Sequence, residues 1–208
     1  MNQENIYLLS LEEVGGCYEK VFSSLAETQK ARVMKRLNPK DRMRSAFGLY
    51  LINAFTGPSP LVYLENGKPV KEDCFFSLSH SHDLVALFVS DDFCGVDVEE
   101  SREVSQKLID RCLSSEEKAE ASCSFLEIWT RKEAFAKIRG EGMFRQPISD
   151  VPSCQGTFVY QGENFETRTF RFPENILSLS KKGTLNPISF YRIRSDGGRL
   201  SKERFRPF

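Results

Sequence analysis

Two short segments carry most of the chemistry available to this sequence. In Gly95-Val96-Asp97-Val98-Glu99, apolar and acidic residues alternate. On an extended strand, residues two apart share a face, about 7 Å from each other. Val96 and Val98 then turn into a core, while Asp97 and Glu99 project together from the other face. Two carboxylates held that close need a positive partner. A hard divalent cation such as magnesium suits two carboxylates plus water and phosphate oxygens. Gly95 leaves room for another backbone, or a ligand, to come near. Taken alone, the same pattern also describes an amphipathic edge strand with its acids in water.

The second segment, residues 127–139, runs EIWTRKEAFAKIR. Glu133 and Lys137 lie four apart and stack on one helical face, with Trp129 a turn earlier. Ile128, Phe135 and Ile138 cluster on a different side and face the core. A carboxylate at Glu133 can bind metal or accept a hydroxyl proton, and ammonium groups at Lys132 and Lys137 can neutralise phosphate charge or protonate a leaving phosphate. Phosphoryl transfer needs positioning and charge neutralisation more than covalent chemistry, so acids, a cation and several Lys/Arg make a sufficient set. Taken alone, Glu133 and Lys137 are also an ordinary surface pair. Ser79-His80-Ser81-His82 holds both histidines of the chain. His80 is placed to donate to a phosphate, but two histidines at this spacing are too few for zinc. There is no Gly-x-Ser-x-Gly, Walker-type loop or Gly-x-Gly-x-x-Gly.

The elements that must position these residues follow from periodicity and breakers. Ile6–Leu9 reads as a first strand. A basic helix over 24–37 carries Lys30, Arg32, Lys35 and Arg36, and Asn38-Pro39 ends it. A second helix over 41–55 has Met43, Phe47, Tyr50, Leu51 and Ala54 on one stripe. Leu61–Leu64, Phe75–Ser81, Leu84–Val89 and Phe93–Glu99 read as strands. Helices are expected over Ser105–Cys112 and, as one piece, Ser115–Ile138. Four strands follow, over 156–161, 165–172, 176–180 and 188–194, and then a polar, frayed tail. Ser77-Leu78-Ser79-His80 has a faint echo in Ser178-Leu179-Ser180-Lys181, each before an apolar strand. This fits two α+β halves, residues 1–100 and 101–208.

Composition narrows the class. Of 208 residues, 29 are Lys or Arg and 29 Asp or Glu, so the net charge is zero. That balance argues against a coat for nucleic acid or an anionic membrane. The 40% hydrophobic content supplies a core, and 17 Phe residues suggest aromatic packing between layers. No signal peptide or apolar run of membrane-spanning length is evident. Six scattered cysteines without Cys-x-x-Cys pairs read as reduced thiols in a cytoplasm.

Three segments in order resemble one family. They are Glu65-Asn66-Gly67-Lys68-Pro69, then Phe76-Ser77-Leu78-Ser79-His80-Ser81 running on to Gly95–Glu99, then Trp129-Thr130-Arg131-Lys132-Glu133-Ala134 with Lys137. The set is similar to the larger, monomeric 4′-phosphopantetheinyl transferases that activate fatty-acid, polyketide and peptide synthetases, over roughly residues 20 to 145. The resemblance implies a pseudo-dimer of two similar α+β halves with the active site between them. It implies transfer of the phosphopantetheine arm of coenzyme A to a serine of an apo acyl or peptidyl carrier protein, with magnesium. Asp97 and Glu99 would bind the cation, with Glu133 as a further ligand or as base for the carrier serine; Glu117 matches an additional acid by count, with Glu116 beside it. Lys132 and Lys137 would contact the pyrophosphate, Lys137 also as a proton donor to 3′,5′-ADP. Ser79, His80, Lys68 and Arg44 match coenzyme A contacts, and Arg32 falls where the family binds the 3′-phosphate. One departure is His82, where the family often has Gly. A magnesium-dependent phosphodiesterase acting on coenzyme A, and an inactive coenzyme A- or carrier-binding module, remain alternatives.

Overall fold

The structure, a computed structural model, describes residues 3–119, 123–140 and 151–207. In chain order the first part comprises β1 (Glu4–Ser10), α1 (Leu11–Val14), a 3₁₀ turn, α2 (Tyr18–Ser24), α3 (Glu27–Met34), α4 (Pro39–Phe55), β2 (Val62–Tyr63), β3 (Pro69–Val70), β4 (Phe75–Ser81) and β5 (Leu84–Ser90). Then come β6 (Cys94–Glu100), α5 (Gln106–Cys112), α6 (Ser115–Ala119) and α7 (Phe125–Arg139). β7 (Gly156–Tyr160), β8 (Glu163–Arg171), β9 (Asn175–Lys182), β10 (Ile188–Asp196) and β11 (Arg199–Phe205) follow.

This is an α+β chain built on two main sheets, with β2 and β3 forming a separate two-stranded hairpin. The larger has the order β11-β10-β1-β5-β4, with β1 and β10 parallel and the other neighbours antiparallel. The smaller is antiparallel, in the order β6-β9-β8-β7. Alternation along β1 shows how they stack. Tyr7 and Leu9 join a core with Val85 and Leu87 of β5, Val14, Val21 and Val33 of the small helices, and Phe47 and Leu51 of α4. Ile6 and Leu8 turn the other way, to meet Ala86, Phe88, Val96, Val98, Leu177 and Leu179. The second core lies between the sheets. Phe170, Phe172 and Phe205 surround Phe190 there, at centroid distances of 4.9, 6.3 and 5.8 Å. Helix α7 covers the far face of the smaller sheet, where Phe135 packs on Phe158, Tyr160 and Phe165. The layers therefore run helices, sheet, sheet, helix.

Within each sheet three strands share one arrangement. β1-β5-β4 has α4 between its first two strands in sequence, and β6-β9-β8 has α7 in the same place. A cut at residue 100 does not follow the sheets: β6 precedes it yet belongs to the smaller sheet, and β10 and β11 complete the larger one. The Ser-Leu-Ser echo does not follow the repeated arrangement either, since it matches edge strand β4 with interior strand β9.

Several elements differ from the periodicity reading. The expected helix over 115–138 is two helices, because Ser124 caps α7 with a reciprocal Ser124–Glu127 box. Helices α1 and α2 stand between the first strand and the basic helix, where the periodicity reading assigns no element. The tail is a strand: Gly197 and Gly198, at φ +52° and +77°, close a two-residue turn into β11. Asn38-Pro39 behaves as expected from the other side, as N-cap and first residue of α4, with the Lys40 N–H donating to Asn38 Oδ1 at 2.8 Å. Among the described residues no helix is long and apolar enough to cross a membrane.

The contact that matters most downstream is between α7 and β6. A Cβ built on Gly95 would sit 1.8 Å from the Ala134 carbonyl oxygen and 3.3 Å from Lys137 Cβ. Only the missing side chain lets the helix lie on the strand's backbone. Gly95→Ala is expected to cost about 3 kcal/mol or more, since neither a strand nor a helix backbone can yield by that much. A shift of the urea midpoint at unchanged slope would register it; an unchanged midpoint would show that α7 does not sit this close.

Candidate active site

The site forms where edge strand β4 of one sheet runs alongside edge strand β6 of the other. β6 has a backbone partner, β9, on one side only. On its other side the N–H groups of Val96, Val98 and Glu100 donate to side chains instead: Ser77 Oγ at 3.1 Å, Ser79 Oγ at 3.4 Å and Ser81 Oγ at 3.1 Å. All three serines are buried. Period-two spacing on β4 matches period-two spacing on β6, so hydroxyls satisfy an edge that would otherwise leave buried donors unpaired.

Two of these serines also reach the acids. Ser79 Oγ donates to Asp97 Oδ1 at 2.8 Å, and Ser81 Oγ to Glu99 Oε2 at 3.1 Å. Arg102 adds a 2.8 Å bond to the same Glu99 oxygen. From α7, Lys137 Nζ donates to Asp97 Oδ1 at 2.8 Å, Ser79 Oγ at 2.9 Å and the Val96 carbonyl at 2.9 Å. An ammonium has three protons, and here each has an acceptor. Asp97 is 6% exposed. Its second oxygen, Oδ2, is buried with no hydrogen-bond partner.

Glu133 lies one turn before Lys137, on the same side of α7. With Asp97, Glu99, Lys137, Ser79, His80, Lys68, Trp129 and apolar Phe76 and Leu78, it lines a cleft of about 570 Å³. No hydrogen bond or ion pair within the described residues engages its carboxylate. Burial raises its pKa to about 7, reinforced by the charges of Asp97 and Glu99 and opposed by Lys137. Burial also raises Asp97, with Lys137 and Ser79 pulling the other way. His80 lines the cleft as an exposed residue, and its pKa is lowered, first by desolvation from the groups around it, then by the charges of Arg44 and Lys137. Its surroundings oppose the gain of charge that its place in Ser-His-Ser suggests.

Among the described residues no three ligating side chains are already gathered into a metal cluster. Magnesium does not require one, because it keeps much of its water and takes one or two carboxylates plus substrate phosphate oxygens. Asp97 and Glu99 side by side, with Asp97 Oδ2 lacking any donor, fit that requirement.

Other residues singled out in the sequence lie elsewhere or are engaged by protein groups. Lys132 is fully buried: its Nζ pairs with Glu117 at 2.7 Å, donates to the Cys112 carbonyl at 3.3 Å, and does not line the cleft. Glu117, expected as an additional metal ligand, is held by that lysine, by the Ser114 N–H at 2.9 Å and by the Ser153 hydroxyl at 2.5 Å. A phosphate contact from Lys132, or a metal contact from Glu117, would require breaking this buried pair. Glu116 belongs to the same short helix, α6, and Glu117 is the one of the two that faces α7. Lys68 reaches the cleft wall, but its ammonium caps α7 at the carbonyls of Lys137 (2.6 Å) and Ile138 (3.3 Å). Burial lowers its pKa. Arg44 bonds the His82 carbonyl at 2.6 Å and Asp41 at 2.5 Å. Arg32 stacks on Tyr63 at 3.8 Å and donates to the Gly67 carbonyl at 3.4 Å, tying α3 to the β2–β3 hairpin. His82 takes a left-handed turn, φ +46°, between β4 and β5, a conformation that glycine adopts without strain.

Sequence reasoning missed Ser77, Ser81 and Arg102. The signal was present: three hydroxyls at 77, 79 and 81 on one face are a poor core face for a buried strand, and their spacing equals that of Asp97 and Glu99.

The raised pKa of Glu133 has a sign that can be checked. A carboxyl whose folded pKa is about 7 against an ordinary 4.5 holds its proton more tightly in the folded state. Its contribution is fully present below pH 4.5 and is lost as pH rises through about 7. With divalent cations chelated, Glu133→Gln is expected to melt about 2–4 °C above the parent at pH 8, corresponding to ~1 kcal/mol. The two should melt together near pH 4. A lower melting point for the variant at pH 8 would contradict this environment for Glu133.

Comparison with known proteins places the site in a family. A model of the 4′-phosphopantetheinyl transferase superfamily matches residues 93–177, a span containing β6 and α7. The 4′-phosphopantetheinyl transferase gsp of Aneurinibacillus migulanus is 31% identical over 173 residues, 73% of this chain and 72% of that protein. The 4′-phosphopantetheinyl transferase AcpT of Salmonella typhi is 36% identical over 108 residues, 45% of this chain and 56% of its own length. The 4′-phosphopantetheinyl transferase psf-1 of Bacillus pumilus is 34% identical over 89 residues, 38% of each chain. With nearly three quarters of two whole chains aligned at that identity, and with the acids and the helix that faces them inside the matched span, the chain belongs to the 4′-phosphopantetheinyl transferase superfamily and is an enzyme of that class.

Proposed function

We propose that the protein transfers the 4′-phosphopantetheine group of coenzyme A to a serine hydroxyl of an apo acyl or peptidyl carrier protein, releasing 3′,5′-ADP, with magnesium. The observation that carries this reading is the convergence of Asp97, Glu99 and Glu133, from a strand and a helix far apart in sequence, on one cleft. The repeated order β1-β5-β4 and β6-β9-β8 supports two related α+β units with the active site between them.

Asp97 and Glu99 would hold magnesium, with Glu133 within the same cleft. Bound there, the cation supplies the positive charge that a diphosphate needs. Lys137 fixes the Asp97 carboxylate in place. Glu133, free of hydrogen bonds among the described residues, accepts the proton of the carrier serine. The serine oxygen forms a bond to the β-phosphorus of coenzyme A, and the bond from that phosphorus to the oxygen of 3′,5′-ADP breaks. Nothing becomes attached to this enzyme. Phe76, Leu78 and Trp129 give the cleft an apolar part for the uncharged portion of the substrate. The six cysteines are free thiols, which supports action in the cytoplasm. The proposed enzyme acts as a monomer, as the family resemblance implies.

Mass spectrometry of apo carriers incubated with the protein, coenzyme A and magnesium is expected to show a gain of one phosphopantetheine. Asp97→Ala and Glu133→Gln should each slow transfer by about 10²-fold or more. Full transfer by both variants would refute the assignment. Coenzyme A hydrolysis without any carrier would favour a phosphodiesterase using the same acids on water.

A further inference from the structure

The serines of β4 are placed to do more than satisfy the edge of β6. We propose that Ser79 and Ser81 are positioning residues that hold one oxygen each of Asp97 and Glu99 and so aim the other oxygen into the cleft, an inference that rests on the reading of these acids as the cation's ligands.

The hydrogen-bond inventory of each hydroxyl carries the case. A serine hydroxyl has one proton and two lone pairs. Ser79 Oγ accepts from the Val98 N–H and from Lys137 Nζ, so both lone pairs are used. Its one proton goes to Asp97 Oδ1. The hydroxyl cannot turn away without leaving a buried donor unpaired. Asp97 Oδ1 thereby receives two donors, Ser79 and Lys137, while Oδ2 receives none.

The same pattern repeats two residues along. Ser81 Oγ accepts from the Glu100 N–H and donates to Glu99 Oε2, where Arg102 is the second donor. Each acid thus has one oxygen held by a serine hydroxyl and a basic side chain. Ser77 provides an internal contrast. It accepts from the Val96 N–H in the same way, but no acid lies within its reach, since position 95 is glycine. Removing Ser77 tests what the edge bond contributes; removing Ser79 or Ser81 tests that contribution plus the aim of a carboxylate. Groups that orient ligating carboxylates typically alter metal affinity by about 10–100-fold when removed.

Manganese serves as the probe, with the free ion counted by electron paramagnetic resonance in the presence of the full chain alone. Ser79→Ala and Ser81→Ala are each expected to weaken manganese binding about 10–100-fold. Ser77→Ala should leave it unchanged while lowering the melting temperature in chelator by a similar amount. Ser81→Thr, which keeps the hydroxyl, should restore affinity. If Ser79→Ala is too unstable to purify, Ser81→Ala and Ser81→Thr, nearer the end of the strand, carry the comparison. Unchanged affinity in Ser79→Ala and Ser81→Ala, with binding lost in Asp97→Ala, would overturn the positioning role and leave the cation reading intact. Equal weakening by Ser77→Ala would also overturn it, by tracing the effect to the strand edge. Failure of the parent chain to bind manganese would remove the cation reading, and this inference with it.

Discussion

The site depends on how near a helix backbone can come to a strand. α7 lies on β6 at Gly95, where any side chain would collide with the Ala134 carbonyl. That proximity brings Lys137 Nζ to the Val96 carbonyl and to Asp97. A buried carboxylate without a compensating charge is destabilising by several kcal/mol, so Asp97 can be buried only because Lys137 reaches it. Lys137 reaches it only because residue 95 has no Cβ. The glycine, the aspartate and the lysine act as one constraint, and Glu133 comes to the cleft as a consequence, being one turn back on the same helix.

The other wall is set by a strand edge that is satisfied without a strand. If β4 paired with β6 through backbone hydrogen bonds, the two sheets would join into one and the cleft that β4, β6 and α7 line would narrow. Serine hydroxyls interposed between the strands satisfy the same N–H groups while keeping the sheets distinct. The cleft therefore exists because a polar edge is met by short side chains. Two of the three serines that keep it open, Ser79 and Ser81, also touch the acids.

Much of this was legible in the sequence, for identifiable reasons. The alternation in Gly95–Glu99 placed Val96 and Val98 in the core and the acids on the opposite face, and the structure has them there. The 3.6-residue period of residues 127–139 placed Ile128, Phe135 and Ile138 inward. What periodicity cannot give is the partner of a polar side chain. Glu133 and Lys137 were seen as neighbours on a helix, but that Lys137 turns to Asp97 and leaves Glu133 bare depends on β6 lying underneath. Sheet membership was likewise hidden. β10 joins β1 across most of the chain length, a pairing with no local signature. β11 is an edge strand with mostly exposed side chains, so it offers no alternation to read; only its Gly197-Gly198 turn marked it.

The lysines show where reading charges from a motif goes astray. Lys68, Lys132 and Lys137 all stand in segments that suggest phosphate binding, yet each ammonium is already engaged: with the last carbonyls of α7, with Glu117, and with Asp97. Counting Lys132 and Lys137 towards a diphosphate would use the same charges twice, and Lys68 would have to leave the end of the helix. Once these commitments are made, three acids face the cleft, with Lys137 neutralising Asp97 and Arg102 neutralising Glu99, while Glu133 has no ion pair among the described residues. A carboxylate without its own counter-charge repels a diphosphate unless a cation lies between them, and it attracts that cation by the same field. The lysines thus work one step removed, holding in place the negative groups to which a cation and then a phosphate can be added in turn.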